Sequence, residues 1–213
     1  RIEHFLRCTC DAKSPSPTWS ETRRRAARTV MDILLHRLCV WLAPIMPFTT
    51  EEAFLMSRFA AEADSVHLMT LPETPDGWKN DTLAEQWEKI FKVRRVVTGA
   101  LEVERRDKRI GSSLEGAPIV HIQDAALREA FDGEDAADLF ITSQAILTDA
   151  EAPGVAFRMD DTPGVAVVVG RAEGVKCARS WKYFNPADAD PDYPDITPRD
   201  ADAVREWEAL HHA

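Results

Sequence analysis

At Gly111 the hydrophobic pattern of this chain changes period, and that change bounds the fold more tightly than any other feature. Upstream, apolar residues recur every three to four positions: Ala26/Ala27, Val30, Ile33/Leu34, Leu38 and Trp41, then Leu83, Trp87, Ile90, Val97 and Leu101, with Val93, Val96, Ala100 and Val103 beside them. That spacing makes one face of an α-helix. Downstream the runs are short and β-like: 119–122, 140–142, 145–147, 155–157 and 165–169, punctuated by Gly154, Pro163-Gly164 and Gly170. Such runs bounded by turn residues read as strands. The chain should therefore fold as helices first and a small α+β module afterwards.

Local signals set the expected boundaries. Ser16-Pro17 reads as an N-cap and first helical residue, and Pro44 and Pro47 stop the helix that follows. Thr49 and Glu52 have capping-box spacing for a second helix to about Phe59, with Phe48 as its staple. After a loop-like stretch over 60–80, Asp81 should cap a third helix ending at Gly111, roughly 40 Å long at about 1.5 Å per residue and able to connect two domains. Short helices fit near 125–131 and just before Phe140, and a last one runs from about Pro198 to Leu210. No clear strand is expected after Gly174. The expected organisation is a helical bundle over 1–80, a long basic connecting helix over 81–112, an acidic α+β module over 113–172 and a C-terminal segment over 173–213.

Composition excludes some classes. The 213 residues have ordinary globular proportions, and no apolar run approaches the roughly 18 residues of a membrane span. The first residues lack the apolar core of a signal peptide, and a start at Arg1 reads as a piece of something longer. Cys8, Cys10, Cys39 and Cys177 do not make a disulfide framework, so reduced thiols in a cytoplasmic protein are expected.

The net charge of −10 argues against a nucleic-acid partner, but it is uneven: +3 over 1–59, −1 over 60–112, −8 over 113–172 and −4 over 173–213. Basic residues cluster at Arg23, Arg24, Arg25 and Arg28 and from Lys92 to Arg109. Local sign governs what lies within a Debye length of about 8–10 Å. These arginines can grip phosphates, or simply solvate helix faces through i,i+4 pairs.

No glycine-rich phosphate loop, zinc-protease helix or dinucleotide fingerprint is present, and Gly111–Gly116 misses nucleophile-elbow spacing by one residue. No catalytic residue is expected. Trp41 and Trp87 fall on helical core stripes. Trp181 sits instead among Lys176, Arg179 and Lys182, where an aromatic beside cations can stack on an unpaired base.

Four stretches together resemble the C-terminal part of the bacterial isoleucyl-tRNA synthetase family, class I aminoacyl-tRNA synthetases. They are 24–30 leading into 41–52; Val93-Arg94-Arg95-Val96-Val97 continuing to Lys108-Arg109-Ile110-Gly111-Ser112-Ser113-Leu114-Glu115; the Leu139–Gln144 stretch, similar to a strand of the family's small module; and Glu173–Trp181 with Ile196–Val204. The likeness covers about 17–205. It implies an α-helical anticodon-binding bundle followed by a small α+β module and a degenerate zinc-ribbon-like end, acting on tRNA(Ile). Family members carry two Cys-x-x-Cys pairs in that end, whereas only Cys177 remains here, with Ser180, Thr197 and Asp200 at the other positions. One thiolate and one carboxylate are too few for a structural site, so zinc is not expected and packing with local hydrogen bonds should hold the segment. The His-Ile-Gly-His and Lys-Met-Ser-Lys-Ser signatures are absent, so ATP, Mg²⁺ and the ligase chemistry would belong to a missing portion.

The resemblance assigns Arg23, Arg24, Arg28, Arg94, Arg95, Arg105 and Lys108 to phosphate positioning, and Arg179 and Trp181 to base contact. It implies a monomer with no DNA or membrane partner. The competing reading is an acidic protein-interaction or scaffold module that binds no RNA.

Overall fold

The computed structural model describes residues 21–211, in two compact units: the chain through Lys79 with that from Asp202 onward, and Asn80–Ala201. Together they contain helices and one small mixed sheet with a separate two-stranded ribbon.

In the first unit α1 (Glu21–Leu42) turns through Pro44 into α2 (Pro47–Leu55). The turn is closed by the Ile45 and Met46 amides, which both donate to the Leu42 carbonyl. The expected capping box does not form. Pro47 takes the first helical position, where its fixed φ is already helical and its missing N–H costs nothing. Thr49 therefore lies inside the first turn, while Thr50 Oγ1 donates to the Met46 carbonyl at 2.9 Å. Phe48 staples nothing: it is 88% exposed. Residues 58–78 hold three short 3₁₀ turns in place of a plain loop. Glu51 anchors the middle one, accepting from the Val66 amide at 2.8 Å and the Ser65 hydroxyl at 3.0 Å.

The core of this unit is Cys39, Val40 and Ala43 from the end of α1 with Phe54, Phe59 and Val66. The stripe read as core fares differently, since Val30, Leu34, Leu38 and Trp41 are all exposed. Periodicity located the helix, but among the described residues the buried core draws only on its end, at Cys39, Val40 and Ala43.

In the second unit α3 (Asp81–Arg106) packs lengthwise on a sheet ordered β2-β1-β4-β3. The sheet comprises β1 (Gly116–Ile122), β2 (Ile146–Thr148), β3 (Phe157–Arg158) and β4 (Val165–Arg171). Strand β1 runs antiparallel to β4 and parallel to β2, the crossover being carried by α4 (Ala125–Glu129) and α5 (Ala136–Phe140). Alternation sends Val120, Ile122, Val165 and Val167 into the core against Ile90, Val93, Val96, Val97, Ala100 and Leu101 of α3. The helix that the sequence set apart as a connector thus supplies six of the fourteen buried residues of this unit's core. Gly116 is required where strand meets helix, because a Cβ there would stand 2.7 Å from Leu101 Cδ2.

Three boundaries differ from expectation. Asn80, not Asp81, caps α3, its Oδ1 accepting from the Leu83 amide at 3.0 Å. The helix ends at Arg106 rather than Gly111, because Lys108 adopts φ 58° and the Lys108 and Arg109 amides return to the Arg105 and Glu104 carbonyls. Residues 139–144 are not a strand. Asp135 caps α5 through the Ala137 amide, and Ile141 at φ 58° terminates it, so buried Phe140 and Thr142 belong to a helix end.

Beyond Gly174 the structure holds two short strands, β5 (Val175–Lys176) and β6 (Tyr183–Phe184), paired antiparallel. Two-residue strands carry too little alternation to be read from sequence. Gly174 at φ 105° permits their approach, since a Cβ there would fall 2.1 Å from the Phe184 carbonyl oxygen. The last helix, α6, spans Pro198–His211.

Candidate nucleic-acid interface

Two basic regions could meet a polyanion, and they are built differently. On α3 most arginines have partners within their own fold. Arg94 Nε donates to the Leu139 carbonyl at 2.8 Å, and Arg95 pairs with Asp161 at 2.7 Å and reaches Thr162 Oγ1 at 3.3 Å. Arg105 meets Glu102 at 2.9 Å, one helical turn away. Arg109 is held by both Glu104 and Asp107, and the hydrogen bond from its guanidinium to Glu104 holds its pKa above the usual arginine value. Lys108 and Arg106 stand exposed at the helix end. On α1, Arg28 is exposed, whereas the side chains of Arg23 and Arg24 lie outside the described residues, as does the Ser16-Pro17 cap.

The second region is the β5–β6 ribbon and the start of α6. Cys177 is fully buried, and the turn between the strands wraps its sulfur: the Ser180 amide donates to Sγ at 3.3 Å and the Trp181 amide to the Cys177 carbonyl at 3.0 Å. Trp181 is half exposed at φ 63°, a left-handed conformation that a bulky aromatic rarely adopts. A residue held at such a cost points to a local constraint on where its side chain must go. Lys176 Nζ lies 5.5 Å from the Trp181 ring centroid, within cation–π range. Arg179, half-buried, faces Asp200 at 3.6 Å.

The four positions that the family resemblance links to zinc do converge. Thr197 Oγ1 donates to Asp200 Oδ2 at 2.8 Å and accepts from the Asp200 amide at 3.2 Å, capping α6, while the Cys177 thiol donates to the same Oδ2 at 3.2 Å. Ser180 Oγ is buried without a hydrogen-bond partner. One thiol, one carboxylate and two hydroxyls, already occupied largely with one another, do not fit the four Cys or His ligands of a structural zinc site. Among the described residues no group of three or more His, Cys, Asp or Glu side chains could hold a metal ion.

Residues to which the sequence assigned no such role complete the ribbon's seat. Ser143 Oγ donates to the Leu114 carbonyl at 2.6 Å and accepts from the Tyr183 amide at 2.7 Å, and Lys182 pairs with Asp138. Gln144 exchanges two hydrogen bonds with the backbone of Glu173. The misread 139–144 segment is thus the support of the ribbon. Its one sequence signal was the polar Thr-Ser-Gln run directly after an apolar helix end.

No helix among the described residues is long and apolar enough to cross a membrane. Residues 5–121 match the family model described as the anticodon-binding domain of tRNA ligase. Over 201 residues, 94% of this chain and 20% of the relative, the chain is 53% identical to the isoleucine–tRNA ligase of Agrobacterium fabrum. It is 51% identical over the same span to that of Brucella abortus, again covering 94% of this chain and 20% of the relative. Against that of Caulobacter vibrioides it is 51% identical over 187 residues, 88% of this chain and 19% of the relative. The chain therefore spans about a fifth of the length of the curated relatives it matches.

Proposed function

This chain belongs to the family of the anticodon-binding domain of tRNA ligases, and from that membership we propose that it is the tRNA-binding C-terminal part of an isoleucine–tRNA ligase. The catalytic and editing portions, with ATP and Mg²⁺, then lie in sequence outside this chain, and the whole enzyme attaches isoleucine to tRNA(Ile) in the cytoplasm as a monomer. The helical part over 1–80 and the basic helix over 81–112 follow the anticodon stem through phosphate contacts. The module over 113–172 carries the segment over 173–213, a metal-free descendant of a zinc ribbon, to the loop.

The observation that carries this reading is Trp181: an aromatic held half exposed in a left-handed conformation, with Lys176 against its ring and Arg179 two residues away. An unpaired base stacks on such a ring, and neighbouring cations hold its phosphate. Arg28, Arg105 and Lys108, with Arg23 and Arg24, supply positioning along the stem, whereas Arg94 and Arg95 act mainly by fastening α3 to its module. Family membership leaves the acidic-scaffold reading without support.

Binding of isoleucine tRNA, compared with a copy whose anticodon loop is altered, tests the reading at low and moderate salt. Preference for the native loop is expected, on a background that weakens steeply between about 50 and 200 mM salt. Equal affinity for the two RNAs would reduce the chain to a backbone clamp and remove Trp181 from base contact.

A further inference from the structure

Asp200 is a buried carboxylate, 7% exposed, on which the whole ribbon end converges. Its Oδ2 accepts from Thr197, three residues before it, and from Cys177, 23 residues before it. Its Oδ1 faces Arg179 Nη1 at 3.6 Å, and the same nitrogen reaches the Asp200 main-chain carbonyl at 3.5 Å. A carboxylate withdrawn from water is costly unless its lone pairs are met and its charge is opposed. The thiol and hydroxyl meet the first need and Arg179 the second. Arg179 is thereby tied to a fixed point, and the Cys177–Trp181 turn, closed on the same thiol, fixes the residue two positions on.

We propose that Asp200 is the positioning residue for Arg179 and Trp181, and that its carboxylate gathers the ribbon end without a metal ion. The proposal rests on the reading that those two side chains touch RNA. The charge of the carboxylate does the gathering: an amide at 200 can still accept from Thr197 or Cys177 but cannot oppose a guanidinium. An ion seated among the same side chains would instead require the thiol to give up its proton, whereas here the thiol is a hydrogen-bond donor.

The test is the ratio of affinities of the 213-residue chain for isoleucine tRNA and for a copy with an altered anticodon loop. It is measured for Arg179→Ala, Trp181→Ala, Asp200→Asn and the Arg179→Ala/Asp200→Asn pair, with and without chelator. Asp200→Asn is expected to lower the ratio about as far as Arg179→Ala, roughly tenfold for a charge-assisted contact. The double variant should lose less than the sum of the two single variants, because part of the effect of Asp200 is exerted through Arg179. Chelator should leave fold and ratio unchanged. If Asp200→Asn does not fold, Thr197→Val carries the test: it keeps the charge but withdraws one hydrogen bond from the carboxylate together with the cap on the Asp200 amide. The ratio should then fall by a smaller factor, again less than additively with Arg179→Ala.

A ratio lowered by Arg179→Ala and Trp181→Ala but untouched by folded Asp200→Asn, or by Thr197→Val in its place, overturns the positioning role and leaves the RNA reading intact. Losses that add fully in the double variant overturn it too, since Asp200 would then act apart from Arg179. A ratio that collapses with chelator and returns with zinc overturns the metal-free arrangement. If neither Arg179→Ala nor Trp181→Ala moves the ratio, the RNA reading itself fails and the proposal falls with it.

Discussion

Helix α3 and the β5–β6 ribbon both belong to the second unit and both carry positive charge, yet they present it differently. Along α3 the cations close contacts within the unit: Arg94 to the Leu139 carbonyl, Arg95 to Asp161, Arg105 to Glu102 and Arg109 to Glu104. In the ribbon Arg179 and Lys182 also close on carboxylates, Asp200 and Asp138, but Lys176 lies against the ring of an aromatic that stands half exposed in a left-handed conformation. The denser basic run is therefore spent largely on contacts within the unit. A count of Lys and Arg measures the field a partner meets only after each cation's internal acceptor is known.

Four substitutions would break or sharpen that contrast. The largest effect on RNA is expected from Trp181→Ala: a lost base stack of about 1–3 kcal/mol in affinity, with the thermal midpoint unchanged because the ring packs into no core. A loss of stability with unchanged binding would reverse the assignment. Arg94→Ala should do the converse, costing about 1–2 kcal/mol of stability in urea unfolding by stranding a part-buried carbonyl, with tRNA affinity of the folded protein nearly unaltered. Smaller again, Lys108→Ala should reduce the salt slope of tRNA binding by up to about one charge, and Arg105→Ala by less, since Glu102 already competes for that guanidinium. Equal slopes for the two would erase the distinction between engaged and available cations.

The smallest effect belongs to an exposed pair in the first unit. The hydrogen bond from Arg58 holds the Asp32 carboxyl below its ordinary value. A carboxylate with a lowered folded-state pKa contributes stability that is full above about pH 4 and is lost as the pH falls through the folded value. Solvent screening keeps the contribution small. Arg58→Ala should thus flatten a slight acid-side decline in thermal midpoint and leave the midpoint at neutral pH almost unmoved. A large neutral-pH drop would show the pair to be structural.

Elements with long or strong local patterns were legible in the sequence: α1 and α3 from their 3.6-residue period, β1 and β4 from apolar runs between turn residues, and α6 from about Pro198 onward. Boundaries were less so, because competing caps are close in energy. Pro47 displaced Thr49, Asn80 displaced Asp81, and Lys108 adopted the helix-ending conformation before Gly111 could. Phe140-Ile141-Thr142 has the composition of a strand but is a helix end, since burial alone accounts for its apolar character. Of the site, Trp181 and Arg179 were visible as an aromatic among cations outside any periodic stretch. That Ser143, Lys182 and Asp138 seat that ribbon was not legible, because their partners lie 29 to 44 residues away along the chain.

Local patterning, then, determined where the long helices and the longer strands lie and where the acid and base are concentrated. These are properties of neighbours along the chain, written in period, charge and residue type. Only the tertiary structure decided which α1 residues are buried, which arginines are already spent, and that Cys177 and Asp200, 23 residues apart, share one hydrogen bond. Such contacts depend on how distant segments pack, and no spacing rule along the chain records the partner a side chain meets across a fold.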